Sequence, residues 1–254
     1  MKVLAILQAR CNSTRLPNKV LKKIIGKPMI QHQLDRIKRS KLIDEIIVAT
    51  SNEISDQPLV DLCDELGIKS FQGDLNNVLD RFYQASKTSD VDIIVRLTGD
   101  CPLTDPSIID SVIIMHIEDG NKYTSNIEPE TFPDGLDVEV FDISVLKNAW
   151  ENAKSTSDLE HVTPFIRRDE SIKKGSYVSE IDKSNLRWTV DEPNDFTFVT
   201  KVYELLGTKS KFFNSQEIYS LLEARPDLLN INNKIVRNEG YALSLEEERI
   251  KEKK

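Results

Sequence analysis

This chain of 254 residues has little cysteine, no excess of positive charge and no long apolar run. Cys11, Cys63 and Cys101 form an odd, scattered set without a CxxC or Cys/His cluster. That pattern excludes a disulfide framework and argues against a structural zinc site. Lys and Arg number 34 against 42 Asp and Glu, a net charge of −8 with His neutral. General nucleic-acid binders carry the opposite balance, so no nucleic-acid partner is expected, although a local basic pocket remains compatible. The apolar run nearest the N-terminus covers only residues 3–7. It is too short for a signal-peptide core or a membrane span, so a cytoplasmic location without membrane contact is expected. The glycine-rich phosphate loops GxxxxGK[ST] and GxGxxG are missing too, as are internal repeats and low-complexity linkers.

What is present reads as one globular unit over 1–254. The composition is 39% apolar and 30% charged, and a chain of this length buries a core unaided. Short apolar runs at 3–7, 45–50, 68–71 and 92–97 alternate with helical periodicity at 28–39, 58–66, 77–86 and 105–117. Such alternation predicts a parallel sheet with helices on both faces. The pattern then changes. Strands are expected at 123–126 and 136–141, helices at 143–153 and 159–168, edge strands at 177–178 and 186–190, and helices at 195–206 and 215–223. Residues 120–170 look like an antiparallel elaboration, and the charged tail 240–254 is expected to fray.

Three segments carry the chemistry. Gln8-Ala9-Arg10-Cys11-Asn12-Ser13-Thr14-Arg15-Leu16-Pro17-Asn18-Lys19 follows the first strand directly. Ligands of open α/β sheets bind beyond the carboxyl ends of strands. Arg forks and a Lys point charge suit phosphate oxygens; a solvated basic loop is the alternative. Asp100, in Arg96-Leu97-Thr98-Gly99-Asp100-Cys101-Pro102, follows another buried strand. There a carboxylate can hold Mg²⁺ or simply cap a turn, and Gly99 allows close backbone approach of a ligand. Asp191, in Arg187-Trp188-Thr189-Val190-Asp191-Glu192-Pro193, repeats the arrangement, with Asp195 serving the first turn of the helix that follows. Cys101 reads as a small packing residue.

QARxxSTRLPxK, then Gly26-Lys27-Pro28-Met29, RLTGDCP and WTVDEPNDF, in that order, resemble the cytidylyltransferases that make CMP-activated sugars, among them the KDO and acylneuraminate cytidylyltransferases. The stretches at 74–83 (DLNNVLDRFY), 132–141 (FPDGLDVEVF), 160–166 (EHVTPFI) and 238–241 (NEGY) resemble the SpsF subgroup, named for spore coat polysaccharide biosynthesis. The resemblance spans nearly the whole chain. It implies an α/β fold of the GT-A-like, Rossmann-like nucleotide-diphospho-sugar transferase type: a mostly parallel central sheet flanked by helices, with a small antiparallel elaboration.

The resemblance also implies roles. Arg10, Arg15, Lys19 and Asp100 would be catalytic. Gln8, Ala9, Arg10, Ser13, Arg15, Lys19, Thr98 and Gly99 would bind a nucleoside triphosphate, CTP foremost. Asp100 and Asp191 would hold Mg²⁺; two facing carboxylates repel without a cation, so nucleotide binding is expected to need the metal. Tyr123, Asn126, Asp137, Glu139, His161 and Arg167 would face the sugar, although for each an ordinary core, surface or helix-end role is the alternative. A homodimer formed through 120–170 is expected by the same analogy. Two departures stand out. KDO enzymes carry Gln before Gly-Asp, where this chain has Thr98, so the contact that favours cytosine is missing. They also tend to have paired aspartates where this chain has Thr50-Ser51-Asn52. The reaction implied is nucleotidyl transfer to a sugar with release of pyrophosphate. Guanylyl or uridylyl transfer to a sugar phosphate, and a non-catalytic nucleotide-binding relative, are the competing readings.

Overall fold

The computed structural model describes residues 1–207, 212–233 and 235. The stretch at 238–241 and the tail 240–254 lie outside the described residues.

The elements run β1 (Val3–Gln8), β2 (Lys23–Ile24), β3 (Lys27–Pro28), α1 (Met29–Ile37), β4 (Glu45–Ser51), α2 (Gln57–Glu65), β5 (Lys69–Gly73), α3 (Val78–Ser86), β6 (Ile93–Thr98) and α4 (Pro106–Glu118). Then follow β7 (Tyr123–Ser125), β8 (Glu139–Asp142), α5 (Ile143–Asn152), α6 (Thr156–His161), α7 (Pro164–Arg168), β9 (Lys174–Ser176), α8 (Pro193–Leu206) and α9 (Ser215–Ala224). One sheet has the order β5-β4-β1-β6-β8-β7-β9. Its first four strands are parallel, β8 is antiparallel to β6 and β7, and β9 is parallel to β7. β2 and β3 form a separate antiparallel ribbon.

Alternation along the strands splits the core in two. Val3, Ala5, Leu7, Val48 and Val95 pack with α1, α2, α4, α8 and α9 on one face. Leu4, Ile6, Ile47, Ala49 and Ile94 pack with α3, α5 and the α6–α7 segment on the other. Helix starts follow capping rules. Asn77 accepts from Asp80 N at the start of α3, and Asp105 precedes Pro106 and accepts from Ser107 N at the start of α4. Glu192 and Asp195 form a reciprocal capping box on α8. Asp195 therefore serves its helix as expected, from the third helical position.

Four expectations are corrected. The strand expected at 136–141 starts only at Glu139, because Leu136 and Val138 belong to a loop laced to Asn126. The strand at 177–178 lies three residues earlier, as β9. Residues 186–190 are extended but make only an isolated bridge, Asp134 to Arg187. Their amides serve loops instead: Trp188 N and Thr189 N donate to Asp134 O, and Val190 N donates to Asp100 O. The helix expected at 159–168 is two helices. Pro164 lacks an N–H and starts α7. Val162 before it turns the chain at φ 70°, ψ −53°, with Thr163 N donating to His161 O at 2.8 Å, a γ-turn.

Candidate active site

A cleft of about 1410 Å³ opens beyond the carboxyl ends of the parallel strands. The loop 8–19 forms one wall, held by the backbone. Ala9 N donates to Ala49 O at 3.1 Å, and both Ser13 N and Asn18 N donate to Cys11 O at 2.9 Å. Cys11 N donates to a buried carboxylate, Asp56 Oδ1, at 2.6 Å. Asn18 adopts a left-handed conformation and starts the 3₁₀ turn that carries Lys19.

Lys19 reaches into the centre. Its Nζ donates to Val190 O at 2.7 Å and to Asp191 Oδ1 at 2.9 Å, and lies 3.4 Å from Asp100 Oδ2. Burial alone would depress this ammonium, but Asp100 and Asp191 hold its pKa above the ordinary lysine value. Burial likewise opposes ionisation of Asp100. Lys19, with hydrogen bonds from Thr98 and Cys101, nevertheless keeps its carboxyl below the usual range. The two predicted metal carboxylates thus share one cation supplied by the chain, which offsets the repulsion expected between them. Arg15 reaches Asp191 Oδ2 at 3.2 Å from the mouth.

The wall opposite is anchored by Arg187, which the sequence reading quoted without giving it a role. Its guanidinium contacts Asp134 Oδ2 at 2.7 Å, Asp191 Oδ2 at 3.1 Å and Asp195 Oδ1 at 3.0 Å. Burial opposes the charge, yet the hydrogen bonds Arg187 donates to Asp195, and the charges of Asp195, Asp134 and Asp191, raise its pKa further. Gly135, at φ 108°, fits against the same segment: a Cβ there would lie 2.5 Å from Thr189 N.

Gly99 has a packing reason beside the one expected. A Cβ on it would stand 2.7 Å from Ala9 Cβ and 3.1 Å from Gln8 O, while its N–H donates to Gln8 O at 2.7 Å. The loop after β1 packs directly against this glycine, which also lines the cleft. Thr98, on the neighbouring strand end, turns its hydroxyl to Cys101 Sγ at 3.3 Å.

Arg10, Ser13, Arg15, Lys19, Gln8, Ala9, Thr98, Gly99, Asp100 and Asp191 all line this cleft. So do Asp137, Glu139, His161 and Arg167, at the end under α6 and α7. Arg96 pairs with Glu139 across the β6–β8 ladder, and Arg167 pairs with Glu128. Tyr123 and Asn126 lie behind this wall. Tyr123 donates its hydroxyl to Glu139 Oε2 at 2.6 Å. Asn126 donates to Leu136 O and accepts from Val138 N, both at 2.7 Å. Their contacts hold the wall rather than the cleft.

Arg81, Arg96, Asp134 and Arg187 also line the cleft and were missed as site residues. A signal existed for Arg81. In DLNNVLDRFY it shares the stripe of Val78, Phe82 and Ala85, where a charge on the buried helix face is conspicuous.

Asp100 and Asp191 offer hard oxygen donors converging on one cation position, which suits a Mg²⁺ that keeps substrate phosphates among its ligands. Among the described residues no group of three or more potential metal ligands gathers. No described helix is long and apolar enough to cross a membrane.

Residues 4–218 match the model of a family described as cytidylyltransferase. The spore coat polysaccharide biosynthesis protein SpsF of Bacillus subtilis is 29% identical over 233 residues, covering 89% of this chain and 95% of the relative. The 3-deoxy-manno-octulosonate cytidylyltransferase of Geobacter metallireducens is 37% identical over 121 residues, 48% of this chain and 47% of the relative. Among solved structures, a cytidylyltransferase from Leptospira borgpetersenii superposes with a TM-score of 0.87 at 30% identity, covering 93% of this chain and all of the other. The family match over most of the chain and the likeness in sequence and fold agree, and the chain belongs to the cytidylyltransferase family, a nucleotidyltransferase.

Proposed function

We propose that the enzyme transfers CMP from CTP to a sugar, most naturally a sugar acid, for the synthesis of a surface polysaccharide. The observation that carries this reading is the convergence of Arg10, Arg15 and Lys19 with Asp100 and Asp191 in one cleft. A sugar oxygen attacks the α-phosphorus in line; the new P–O bond forms as the bond to pyrophosphate breaks. Such a reaction asks little covalent chemistry of the protein and much positioning. Arg10, Arg15 and Lys19 offset charge on the departing pyrophosphate. Asp100 and Asp191 would hold Mg²⁺, which polarises the α-phosphate when bound. Asp137, Glu139, His161 and Arg167 lie where the acceptor would sit.

A screen of CTP, UTP, GTP and ATP with Mg²⁺, followed by pyrophosphate release with 2-keto sugar acids and sugar phosphates, tests this. Turnover is expected with CTP and a sugar acid. Asp100→Ala should lose turnover by orders of magnitude while keeping its circular dichroism spectrum. Turnover confined to UTP or GTP with a sugar phosphate would establish the second reading, which Thr98, standing where the KDO enzymes carry Gln, keeps in play. Tight nucleotide binding without turnover on any acceptor would establish a binding protein instead.

A further inference from the structure

Arg81 lines the cleft in an arrangement that no role above explains. It is buried, with 3% of its surface exposed, yet neither Nε nor Nη1 has a hydrogen-bond partner. An arginine carries five donors and no acceptor, and unmet buried donors cost stability. The nearby anion does not serve it. Asp56 favours the charged form of Arg81, but the Asp56 oxygens already accept from Cys11 N at 2.6 Å, Thr50 Oγ1 at 2.9 Å, Ser51 N at 3.1 Å and Ser51 Oγ at 2.5 Å. Three of these bonds fall on Oδ2 and one on Oδ1, so the carboxylate is engaged by the loop and strand end and leaves Arg81 Nε and Nη1 unmet. Burial and the neighbouring Arg10 bring the Arg81 pKa down to about 10, so the group stays a cation at neutral pH. The missing partner is therefore a set of acceptor atoms arriving from outside.

Its place in the cleft says which atoms. Arg81 rises from α3, its stem across Gly73 at the end of β5. β5 stands three strands from β6, whose end carries Asp100, a separation of roughly 14 Å at ordinary strand spacing. A nucleoside, rather than a phosphate, spans that gap from the carboxylates. This end of the cleft also differs from the one under α6 and α7. It is lined by the apolar side chains of Leu75 and Val78, with Asn76 beside them, a surface suited to the face of a flat ring. The other end carries Glu128, Glu139, Glu160 and Arg167, suited to a hydroxylated acceptor. The Gln8 amide, whose Oε1 also lacks a partner, lies on the α3 side of the sheet by strand alternation with Leu4 and Ile6.

We propose that Arg81 reads the nucleotide base, donating to the O2 and N3 acceptors of cytosine held against Leu75 and Val78. This deepens the cytidylyl reading above and rests on it. It also supplies the base contact absent at Thr98. Cytosine N3 accepts a hydrogen bond where uracil N3 donates one, so an all-donor guanidinium favours the first and opposes the second.

The test is competitive displacement of a fluorescent nucleotide by CTP and by UTP, with Mg²⁺ present. Wild type is expected to prefer CTP by about ten- to a hundredfold, the span of a well-placed base contact. Arg81→Lys and Arg81→Gln should bring that ratio close to one. The ratio does not depend on the folded fraction, and the Gln variant stands in should the Lys variant fail to fold. Equal weakening of CTP and UTP, with the ratio kept, would overturn the inference, since Arg81 would then grip ribose or phosphate. A wild type with no preference for CTP would sink the cytidylyl reading itself. A wild type that prefers CTP, with variants that keep the preference, would sink only the role of Arg81.

Discussion

Lys19 sits between Asp100 and Asp191 and also ties Val190 O. Its charge is part of the structure before any ligand binds. In Lys19→Met the two carboxylates would face each other without a cation, and the pKa of at least one should rise. The sign follows from linkage. In the wild type the depressed Asp100 adds stability above the unfolded carboxylate pKa, lost as pH falls through the folded one. In the variant a raised folded pKa costs stability at neutral pH, and the cost is relieved as pH falls through it. Lys19→Met should therefore lose about 3 kcal/mol at pH 7, the low end for a broken buried pair, and visibly less at pH 5. Urea melts at the two pH values check this, and a gap unchanged with pH would contradict it. Arg10, Arg15, Lys19 and both aspartates were legible in the sequence because each lies on a strand-end segment. Arg187 and Arg96 were visible in the same segments but unassigned, since their partners, Asp134, Asp195 and Glu139, are set by tertiary structure.

Two strand ends lie so close that a methyl group decides their spacing. The β1 and β6 ends meet at Ala9 and Gly99, and a Gly99 Cβ would lie 2.7 Å from Ala9 Cβ. Gly99→Ala should cost about 1–3 kcal/mol by overpacking and raise the KM for nucleotide more than it lowers kcat, because the loop 8–19 shifts against Asp100. Adding Ala9→Gly should recover part of both losses; no recovery would mean that the contact with Gln8 O dominates. The parallel strands and their helices were readable from periodicity, since buried strands and amphipathic helices repeat in register with the core. The later elements were less so. Residues 186–190 look like a strand by composition, but their amides satisfy the loops at Asp134 and Asp100. The break between α6 and α7 needs a buried Val162 at positive φ, for which a β-branched residue gives no sequence signal.

At the scale of the whole molecule, the two core clusters share the strands between them. Neither layer of helices can leave without exposing one face of β1, β4 and β6. One calorimetric transition is expected for the described fold; two separable transitions would show that the layers fold apart. Phe82→Ala, which empties the core beneath α3, should lower that transition by the equivalent of about 3–5 kcal/mol. The overall α/β architecture was legible in the sequence because continuous apolar runs supply alternate residues to both layers. The cleft between them was legible only in part, because depth and pairing do not follow from spacing.

The lysine held between two carboxylates makes the cleft behave like a loaded ion exchanger. The lysine at its centre is already committed, so a bare polyanion finds that charge compensated, in keeping with a chain of net charge −8. Entry becomes a trade. A ligand that brings its own countercharge can release the lysine from the aspartates and take it up, whereas one that brings none must break the pair. Selectivity against the cell's ordinary phosphates would then come from the cost of that exchange, before any base or sugar is read.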